Sequence, residues 1–460
     1  MASSIGKNIK ISIFGESHGP AVGVVIDGIP SGTEIDLMEL NRLMMERMGM
    51  DMPGTTARKE PENLEFLSGV RMENDASRCY ATGTPISVII RNENFNSDDY
   101  IKSGDVLRPG HADFTQLIKW GEYADVVGGG HLSGRLTAPL AVAGGICLQL
   151  LEKEGIELSA GLRSLGRHEL SCKASEAFGT EDFCSEISGI IEEAKKEGDS
   201  LGGIVWVRAN GLPAGIGEPI FDKVESRLGQ MIFSIPAVKG IEFGSGFDGA
   251  RMRGSENNDE FRLANDECAL VHDEFCLANE KFCNADDAFC PANEPPIEAN
   301  CGKDKDTEHF LERDCDNEQF TGSDCYIRAY YSSERDPRDC HSSERYGKTY
   351  YGIERDARTC YDSEMNDKVF GIKLMSNNCG GILGGITTGS EICLNVAVKP
   401  TPSISKPQKT VNIKTKKNVL LSTKGRHDVS VAIRAVPVIR AATALVLYDL
   451  FIDYKENHNG

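Results

Sequence analysis

The sequence lacks an excess of basic residues. Its 460 residues include 50 Lys and Arg against 70 Asp and Glu, which gives a formal net charge of −20 at pH 7. A protein that binds nucleic acid needs a basic surface to neutralise the phosphates, so this composition excludes DNA and RNA as expected partners. The acidic excess is concentrated in residues 255–360. The rest of the chain is nearly balanced and can form a pocket for an anionic small-molecule substrate.

The sequence also lacks close cysteine pairs and uninterrupted apolar runs. No CxxC pair occurs among its 15 cysteines, and the first residues show strand-like alternation instead of the apolar core of a signal peptide. Residues 137–151 are too short to span a bilayer, and residues 429–450 are interrupted by Arg434, Pro437 and Arg440. We therefore expect reduced thiols, a cytoplasmic location and no membrane contact.

One common catalytic signature is missing. There is no Walker A motif, which disfavours a P-loop nucleotidase. In the loop that begins at Gly128, Ser133 stands where a GxGxxG motif would need a glycine, so this loop is not a dinucleotide fingerprint. The reaction must therefore be inferred from other residues.

Glycine is abundant, with 48 residues, and the hydrophobic content of 40% fits a globular α/β or α+β protein rich in turns. Alternation and β-branched residues predict strands in 22–29, 85–93 and the glycine-flanked segment 198–219. Apolar periodicity followed by glycine predicts helices over 137–155 and 185–198.

The sequence pattern changes in residues 262–368, where short acidic units repeat every seven and then every ten residues. Adjacent Phe and Cys within the units, and Pro291 in the last of the seven-residue units, disfavour a coiled coil. Zinc sites generally use close ligand pairs, whereas Cys276, Cys283 and Cys290 are widely spaced, so no metal is expected. High charge and few aliphatic residues predict a disordered, low-complexity insertion.

Five glycine-rich polar segments carry the candidate chemistry. They are FGESHG (14–19), RPGHAD (108–113), GGGHLSGR (128–135), CGGILGGITTG (379–389) and KGRHD (424–428). Glycine lets a backbone approach a ligand closely, and a loop before a helix can bind phosphate with free N–H groups. Each segment alone could be an ordinary turn or helix cap. Together they predict a pocket for an anionic ligand with acid–base groups.

In these segments the chain resembles the chorismate synthase family. The resemblance also includes SIPAVKGIEFGSGF (234–247) and TKGRHDVSVAIRAVP (423–437), and all the motifs occur in the family's order. It implies an α+β fold, a β-α-β sandwich of the chorismate synthase type. Residues 1–261 and 369–460 would form one catalytic domain, interrupted by the insertion 262–368.

The resemblance also implies a function. The family's reaction is an anti-1,4-elimination that converts 5-enolpyruvylshikimate 3-phosphate to chorismate and phosphate, the last shikimate-pathway step in aromatic amino acid biosynthesis. It requires reduced FMN without net redox change, and transient electron donation from the flavin would help to expel phosphate. A homotetramer is implied, with NADPH as at most an indirect reductant and an external flavin reductase as a possible partner.

Specific residues match the family's functional positions. His18 and His111 match its two active-site histidines, with Ser17 and Ser133 beside the ligands, and Asp428 matches the aspartate that takes a proton. The matched flavin contacts are His131, Leu132, Ser133, Pro236, Ala237, Gly384, Lys399, Pro400, Thr401, Pro402, Ser403 and Arg426. The matched arginines on the substrate or NADP side are Arg47, Arg58, Arg108 and Arg135.

Three departures and two alternatives qualify this resemblance. Met48, Pro53 and Val127 stand where family members often have arginine, which lowers the expected affinity for anions. One alternative is a catalytically silent flavin- or anion-binding relative, against which the retained histidines and aspartate argue. The other is a bifunctional enzyme with its own NADPH:FMN reductase activity. Residues 262–368 are the only extra sequence, and they lack a dinucleotide fingerprint.

Overall fold

The computed structural model describes residues 3–49, 52–55, 62–73, 77–92, 105–125, 127–263, 371–423 and 427–458. The strands are β1 (Ser4–Ile5), β2 (Lys10–Gly15), β3 (Ala21–Asp27), β4 (Glu34–Asp36), β5 (Glu65–Ser68), β6 (Val70–Met72), β7 (Arg78–Ala81), β8 (Ile86–Arg91), β9 (Glu157–Leu165), β10 (His168–Glu169), β11 (Gly203–Asn210), β12 (Val238–Phe243), β13 (Phe261–Leu263), β14 (Ile372–Leu374), β15 (Ile382–Leu383), β16 (Ile386–Thr387), β17 (Ile392–Val398), β18 (Gln408–Asn412) and β19 (Lys417–Leu421). The helices are α1 (Leu37–Met48), α2 (Asp113–Trp120), α3 (Thr137–Lys153), α4 (Cys172–Glu176), α5 (Glu181–Lys196), α6 (Val224–Phe233), α7 (Gly246–Gly249), α8 (Gly254–Asn257) and α9 (Val431–His458).

Two five-stranded antiparallel sheets enclose a helical layer. The first has the strand order β1-β2-β3-β8-β5 and the second the order β10-β9-β11-β17-β12. α3 packs on β3 and β8 of the first sheet, α9 packs on β9 and β11 of the second, and the two helices pack against each other. The result is a β-α-β sandwich whose core lies between the sheets. β4, β7 and β6 form a smaller sheet, and β13–β14, β15–β16 and β18–β19 are two-stranded.

The central position of α3 and α9 explains their composition. A helix that packs on both sides has no solvent face, so its sequence is apolar all round. Both helices are long and apolar enough to cross a membrane by length and composition, but 83% and 89% of their most apolar windows are buried within the chain. Their close approach depends on Gly144, where an added Cβ would lie 2.2 Å from the carbonyl oxygen of Ala441.

A buried carboxylate anchors the segment that precedes β2. Asp449 on α9 is 3% exposed. It accepts hydrogen bonds from the backbone N–H groups of Lys7, Asn8 and Ile9, the last two at 2.7 Å, and from Arg227 Nη2 at 2.5 Å. These bonds fix the start of β2 on the helical layer, and β2 ends in the FGESHG segment.

The chain leaves and re-enters this sandwich through β13 and β14. Residues 3–263 and 371–458 meet in the second sheet, where β11 pairs with β17 from Gly203↔Val398 to Ala209↔Ile392. Arg262 and Leu263, which fall within the insertion predicted from the sequence, belong to β13 and pair with Lys373 and Ile372. The expected disordered, low-complexity segment otherwise lies outside the described residues.

Replacing residues 264–371 by Asn-Gly is expected not to lower the melting temperature. Leu263 and Ile372 are directly paired, so a two-residue type I′ turn can close the β13–β14 hairpin. Shortening a long connection also lowers the entropic cost of closing it, by about 0.6 kcal/mol for each halving of its length. Calorimetry of the shortened and full-length proteins at equal concentration checks this. A melting temperature lower by more than about 4 °C would show that the segment stabilises the fold.

Candidate active site

The FGESHG segment forms a tight turn between β2 and β3. Gly19 N donates to Glu16 O at 3.1 Å, which closes a β-turn with Ser17 and His18 at its centre. The turn starts from Gly15, whose φ is +97° and where a Cβ would lie 2.3 Å from Ala21 O. Only glycine tolerates this combination. The turn therefore presents Ser17 and His18 at the end of the first sheet.

The GGGHLSGR segment wraps around this turn. Gly128, Gly129 and Gly130 have φ values of +61°, +90° and +53°. Ser17 donates from Oγ to Gly128 O and from its backbone N to Gly130 O, both at 3.2 Å. A Cβ on Gly128 would lie 2.2 Å from the ring of His18. The glycine loop is thus shaped to receive the imidazole of His18.

The residues that follow connect the loop to β2 and to α3. His131 Nδ1 lies 2.9 Å from Gly15 O and its Nε2 lies 3.2 Å from Ser3 Oγ, so the ring bridges two backbone segments. Leu132 is exposed. Ser133 Oγ accepts from Arg135 N at 3.3 Å and caps a single helical turn, Gly134–Leu136, that leads into α3. Ser133 therefore sits at the N-terminal end of a helical segment, as expected for a phosphate-binding loop.

The RPGHAD segment folds over the N-terminus of α2. The carboxylate of Asp113 accepts three bonds from Arg108, from the backbone N at 2.9 Å, Nε at 2.8 Å and Nη2 at 2.6 Å. Although burial opposes the charge of Asp113, these bonds lower the pKa of its carboxyl group. Gln116 on the same helix is buried and donates from Nε2 to Gly129 O at 3.0 Å. α2 is thereby joined to the glycine loop that holds His18.

His111 connects α2 with the segment Lys399–Ser403. Its Nδ1 lies 3.1 Å from Pro109 O and its Nε2 lies 2.9 Å from Ser403 Oγ. Because the carbonyl must accept, Nδ1 carries the proton and the serine hydroxyl donates to Nε2. Burial, with a smaller contribution from Arg108, lowers the pKa of His111 to about 4. The low pKa favours the neutral imidazole near pH 7.

The Lys399–Ser403 segment packs along the RPGHAD loop. Lys399 Nζ donates to Gly110 O at 2.6 Å, and a Cβ on Gly110 would lie 2.8 Å from Pro402 Cβ. Ser200 Oγ donates to Thr401 O at 2.6 Å. Burial lowers the pKa of the Lys399 ammonium. This segment, which also includes Pro400, therefore adds a partly desolvated cation beside His111.

Pro236 and Ala237 lie next to this segment. Lys399 N donates to Ala237 O at 2.9 Å, and Ala237 has an unusual positive φ of +74°. A non-glycine residue in this region is strained, which is typical of functional turns. Gly384 lies in the two-residue turn between β15 and β16 with φ +63°, and a Cβ added there would have nothing within 4 Å. It therefore faces open space.

Asp428 lies on the short segment before α9. Its side chain is 14% exposed and accepts from Arg434 Nη1 at 3.2 Å. Burial lowers the pKa of the adjacent His427, while Asp428 opposes this shift and Arg108 adds to it. Leu201 N donates to Val429 O at 2.9 Å and its neighbour Ser200 binds Thr401 O, so this segment is joined to Lys399–Ser403. Arg426, two residues earlier, lies outside the described residues.

Two of the four arginines on the expected substrate side are held by the same carboxylate. Arg47 is 2% exposed and donates from Nη1 to Glu62 Oε1 at 2.5 Å and from Nε to Thr137 Oγ1 at 3.1 Å. Arg135 donates to the same Glu62 oxygen and, from Nε, to Asn92 Oδ1 at 3.0 Å. Arg47 and Arg135 therefore share one buried carboxylate.

Arg108 is bound to Asp113, as described above, and Arg58 lies outside the described residues. The assignment of all four arginines to the substrate or NADP side stays a prediction.

Three residues, Met48, Pro53 and Val127, stand where family members often have arginine. Met48 is the last residue of α1. Pro53 precedes Gly54, whose carbonyl accepts from Val429 N at 2.8 Å, one residue beyond Asp428. Val127 opens the glycine loop. A guanidinium at positions 53 or 127 would therefore lie beside segments that carry site residues.

Several buried polar atoms on these loops lack an acceptor or donor within the described part of the chain. They are Gln116 Oε1, Thr401 Oγ1 and His427 Nε2. A buried polar atom without a partner costs about 1–3 kcal/mol, so such atoms indicate a ligand or water position. Their occurrence on α2, on the Lys399–Ser403 segment and beside Asp428 fits a polar ligand bound among these loops. Among the residues that the structure describes, no group of three His, Cys, Asp or Glu side chains could hold a metal ion.

Sequence reasoning missed three residues of this site. Glu62, Asn92 and Gln116 are buried and bind, respectively, Arg47 and Arg135, the FGESHG turn, and the glycine loop. None lies in a glycine-rich motif. Glu62 and Asn92 lie in irregular segments, which have no periodicity that indicates burial, and Gln116 is a single polar residue within α2. Only the three-dimensional arrangement identifies them.

Substituting His111 by Asn is expected to flatten the pH dependence of stability. The pKa of His111 is lowered from 6.5 to about 4 in the folded protein, so the unfolded state binds more protons between these values. The contribution of His111 to the free energy of unfolding is complete above about pH 6.5 and is lost as the pH falls toward about 4. Urea unfolding across this range measures the effect, with exposed His168→Asn as the control. A His111→Asn profile parallel to that of the wild type would contradict the assignment.

The comparisons with known proteins agree on one family. The family model described as chorismate synthase matches residues 9–279 and 347–452. A chorismate synthase of Dehalococcoides mccartyi is 34% identical over 461 residues, which covers 98% of this chain and 96% of the relative. Those of Korarchaeum cryptofilum and Pyrococcus abyssi are 33% and 34% identical, with 96% of both chains covered in each case. A crystal structure of chorismate synthase matches 98% of this chain and 93% of its own with a TM-score of 0.57 at 20% identity. The resemblance inferred from the motifs and the α+β sandwich class are both confirmed.

Proposed function

The chain belongs to the chorismate synthase family and is thus a lyase of the shikimate pathway, and from that premise we propose that it converts 5-enolpyruvylshikimate 3-phosphate to chorismate and phosphate with reduced FMN bound. In this anti-1,4-elimination one ring C–H bond and the C–O bond to phosphate break, and a new C=C bond forms. The observation that carries the proposal is the joining of distant loops around His18, His111 and Asp428. These residues are far apart in sequence but lie on segments that are joined to one another. The reaction needs such an arrangement because it removes a proton from one ring carbon and phosphate from another.

The cationic groups of these loops support an anionic substrate. Arg108 and Lys399 lie on two contacting segments beside His111, and the substrate carries carboxylates and a phosphate. An anion bound beside His111 would favour the protonated imidazole and raise its pKa from the ligand-free value of about 4. We propose that ligand binding is thereby coupled to proton uptake at His111. The protonated ring would then donate a hydrogen bond where the serine hydroxyl of Ser403 now donates to it.

The other catalytic assignments use the turn and the segment before α9. Asp428 would accept the proton that leaves the ring, with Arg434 holding its carboxylate in place. His18, seated against Gly128, would protonate or hydrogen-bond the departing phosphate. Ser17 would hold the turn through its bond to Gly128 O, and Ser133 would direct backbone N–H groups toward an anion.

The residues present fit a flavin. The buried unpartnered atoms Gln116 Oε1, Thr401 Oγ1 and His427 Nε2 require polar partners, which a flavin ring or its phosphate has. We propose that the cofactor is held by His131, Leu132, Ser133, Pro236, Ala237, Gly384, Lys399, Pro400, Thr401, Pro402, Ser403 and Arg426. When bound, reduced FMN would supply electron density that assists the departure of phosphate.

We further propose a cytoplasmic homotetramer that receives its reduced flavin from a separate reductase. One sequence feature supports the last point. Residues 280–346, which lie between the two stretches that the family model matches, contain no dinucleotide fingerprint. NADPH would then act only through that partner.

An anaerobic assay with three arms tests the proposal. Purified protein is mixed with the substrate and with chemically reduced FMN, oxidised FMN, or oxidised FMN plus NADPH, and chorismate and phosphate are measured. We expect equal amounts of both products in the first arm and none in the others. Products in the third arm would establish an intrinsic reductase. Their absence from the first arm, with flavin bound, would favour a catalytically silent relative.

A further inference from the structure

We propose that Asn92 is a positioning residue for His18, and that Arg135 and Glu62 hold Asn92 in the orientation that this role requires. The inference rests on the role that the proposed function gives to His18. It assigns to Asn92 and Glu62 a part in the reaction through the turn that carries the imidazole, without contact to substrate or cofactor.

The side-chain amide of Asn92 binds both ends of the FGESHG turn. Asn92 follows β8 and is 7% exposed. Its Nδ2 donates to Glu16 O at 3.0 Å and to Gly19 O at 2.8 Å, and its backbone N donates to Pro20 O at 3.1 Å. Glu16 and Gly19 are the first and last residues of the β-turn that has Ser17 and His18 at its centre. One amide group therefore fixes the position of the whole turn.

The glycine loop holds the same turn from the other side. Ser17 bonds to the carbonyls of Gly128 and Gly130, and the ring of His18 occupies the space that a side chain at position 128 would fill. With Asn92 at the turn's two ends and the loop at its centre, His18 has little freedom to shift. Displacing a catalytic group by about 1 Å can reduce the rate about 10²-fold, so holding this turn in place favours catalysis.

Arg135 and Glu62 determine which way the amide of Asn92 points. Arg135 Nε donates to Asn92 Oδ1 at 3.0 Å, which forces the oxygen toward the guanidinium and the NH₂ group toward the turn. Arg135 is itself held by Glu62 and by the carbonyl of Arg91 at 3.2 Å. Glu62 is also bound by buried Arg47. The buried ion pairs of Glu62 are thus connected to the turn that carries His18 through the side-chain amide of Asn92.

The test compares Asn92→Ala, Asn92→Asp, His18→Ala and the double variant Asn92→Ala/His18→Ala in the reduced-FMN assay. Asn92→Ala is expected to lower kcat about 10–100-fold with little change in KM, because Arg135 keeps its bonds to Glu62 and to the carbonyl of Arg91. Asn92→Asp keeps the acceptor for Arg135 but replaces the two donated bonds by a carboxylate oxygen that faces two carbonyl oxygens, so its kcat should also fall. In the double variant kcat should be no lower than in His18→Ala, because Asn92 acts only through the imidazole that His18→Ala has already removed.

Gln149→Ala is the matched control. Gln149 is a buried amide on α3 that also bonds to backbone groups, with Oε1 accepting from Asp36 N at 2.8 Å and Nε2 donating to Asp36 O at 2.9 Å. Its loss removes a comparable pair of hydrogen bonds away from the FGESHG turn. We expect lower stability but wild-type kcat. Hydrogen exchange of residues 14–20 should be at least about tenfold faster in Asn92→Ala and unchanged in Gln149→Ala, because only the former loosens the turn.

The outcomes separate this inference from the proposed function. If losses in the double variant multiply, or if Asn92→Ala keeps wild-type kcat while His18→Ala does not, the positioning role is overturned. Wild-type kcat in His18→Ala would also overturn it, although the proposed reaction would stand on the products formed by the wild type. If the wild type forms no chorismate, the proposed reaction fails, and the exchange of residues 14–20 decides alone: faster exchange in Asn92→Ala supports the positioning and unchanged exchange overturns it.

Discussion

Replacing Asp428 by Asn is expected to lower kcat by about 10²–10⁴-fold, the usual contribution of a general base. The amide keeps the shape of the carboxylate and can still accept a hydrogen bond from Arg434, but it cannot take a proton. The side chain is only 14% exposed, so water cannot easily replace it. Binding of FMN should change by no more than a few-fold, because the substitution removes proton transfer and leaves the flavin contacts in place.

Asp248→Asn provides a close control for this experiment. Asp248 is 15% exposed and lies 3.3 Å from Arg251, against 14% and 3.2 Å for Asp428 and Arg434. It lies on α7, outside the RPGHAD and FGESHG loops. Steady-state kinetics with saturating reduced FMN should show wild-type kcat for this control. A kcat of Asp428→Asn within about threefold of the wild type would exclude proton transfer by Asp428.

Glu62→Ala is expected to lower the free energy of unfolding by about 3–5 kcal/mol, the usual cost of breaking a buried ion pair from one side. Burial lowers the pKa of Arg47 to about 10, and Glu62 opposes that shift. Without Glu62, the guanidinium of Arg47, which is 3% exposed, loses its counter-ion in a position that water does not reach. Arg135 loses the same partner. The double variant Glu62→Ala/Arg47→Met should recover part of the loss, because it removes the unpaired charge as well.

Urea unfolding at a fixed protein concentration measures these differences, with Glu65→Ala as the control. Glu65 pairs with Arg91 at 2.8 Å, a similar distance, but both side chains are substantially exposed. Surface pairs contribute little to stability, so the unfolding midpoint of Glu65→Ala should equal that of the wild type. A Glu62→Ala protein with the same midpoint as Glu65→Ala would mean that water or another group compensates Arg47.

Local sequence patterns predicted the secondary structure well because each element follows its own periodicity. The strand predicted over 85–93 is β8 (Ile86–Arg91), and the helix predicted over 137–155 is α3 (Thr137–Lys153). The helix predicted over 185–198 begins earlier, at Glu181, because Thr180 Oγ1 accepts from Phe183 N at 3.4 Å and caps it. Capping by threonine depends on a single side-chain bond, which an apolar pattern does not record.

The candidate site was predictable only as a set of separate loops. Glycine content and polar residues identified the segments, but nothing in the sequence gives the contact between Gly128 and His18 or the 2.9 Å bond between His111 and Ser403. The same holds for the neutral state of His111, since burial, which lowers its pKa, depends on packing by residues distant in sequence. Glu62 and Asn92 are indistinguishable from solvent-exposed loop residues until the structure places them beside Arg135.

We propose that this protein eliminates phosphate with the help of a flavin that is not consumed, and the number of products formed per flavin measures this. Purified protein, reduced FMN and excess substrate are mixed without oxygen while chorismate, phosphate and the flavin spectrum are followed together. We expect many molecules of chorismate and an equal number of phosphates per FMN, with the flavin still reduced at the end. One chorismate or fewer per FMN, or oxidation of the flavin in step with the product, would contradict it.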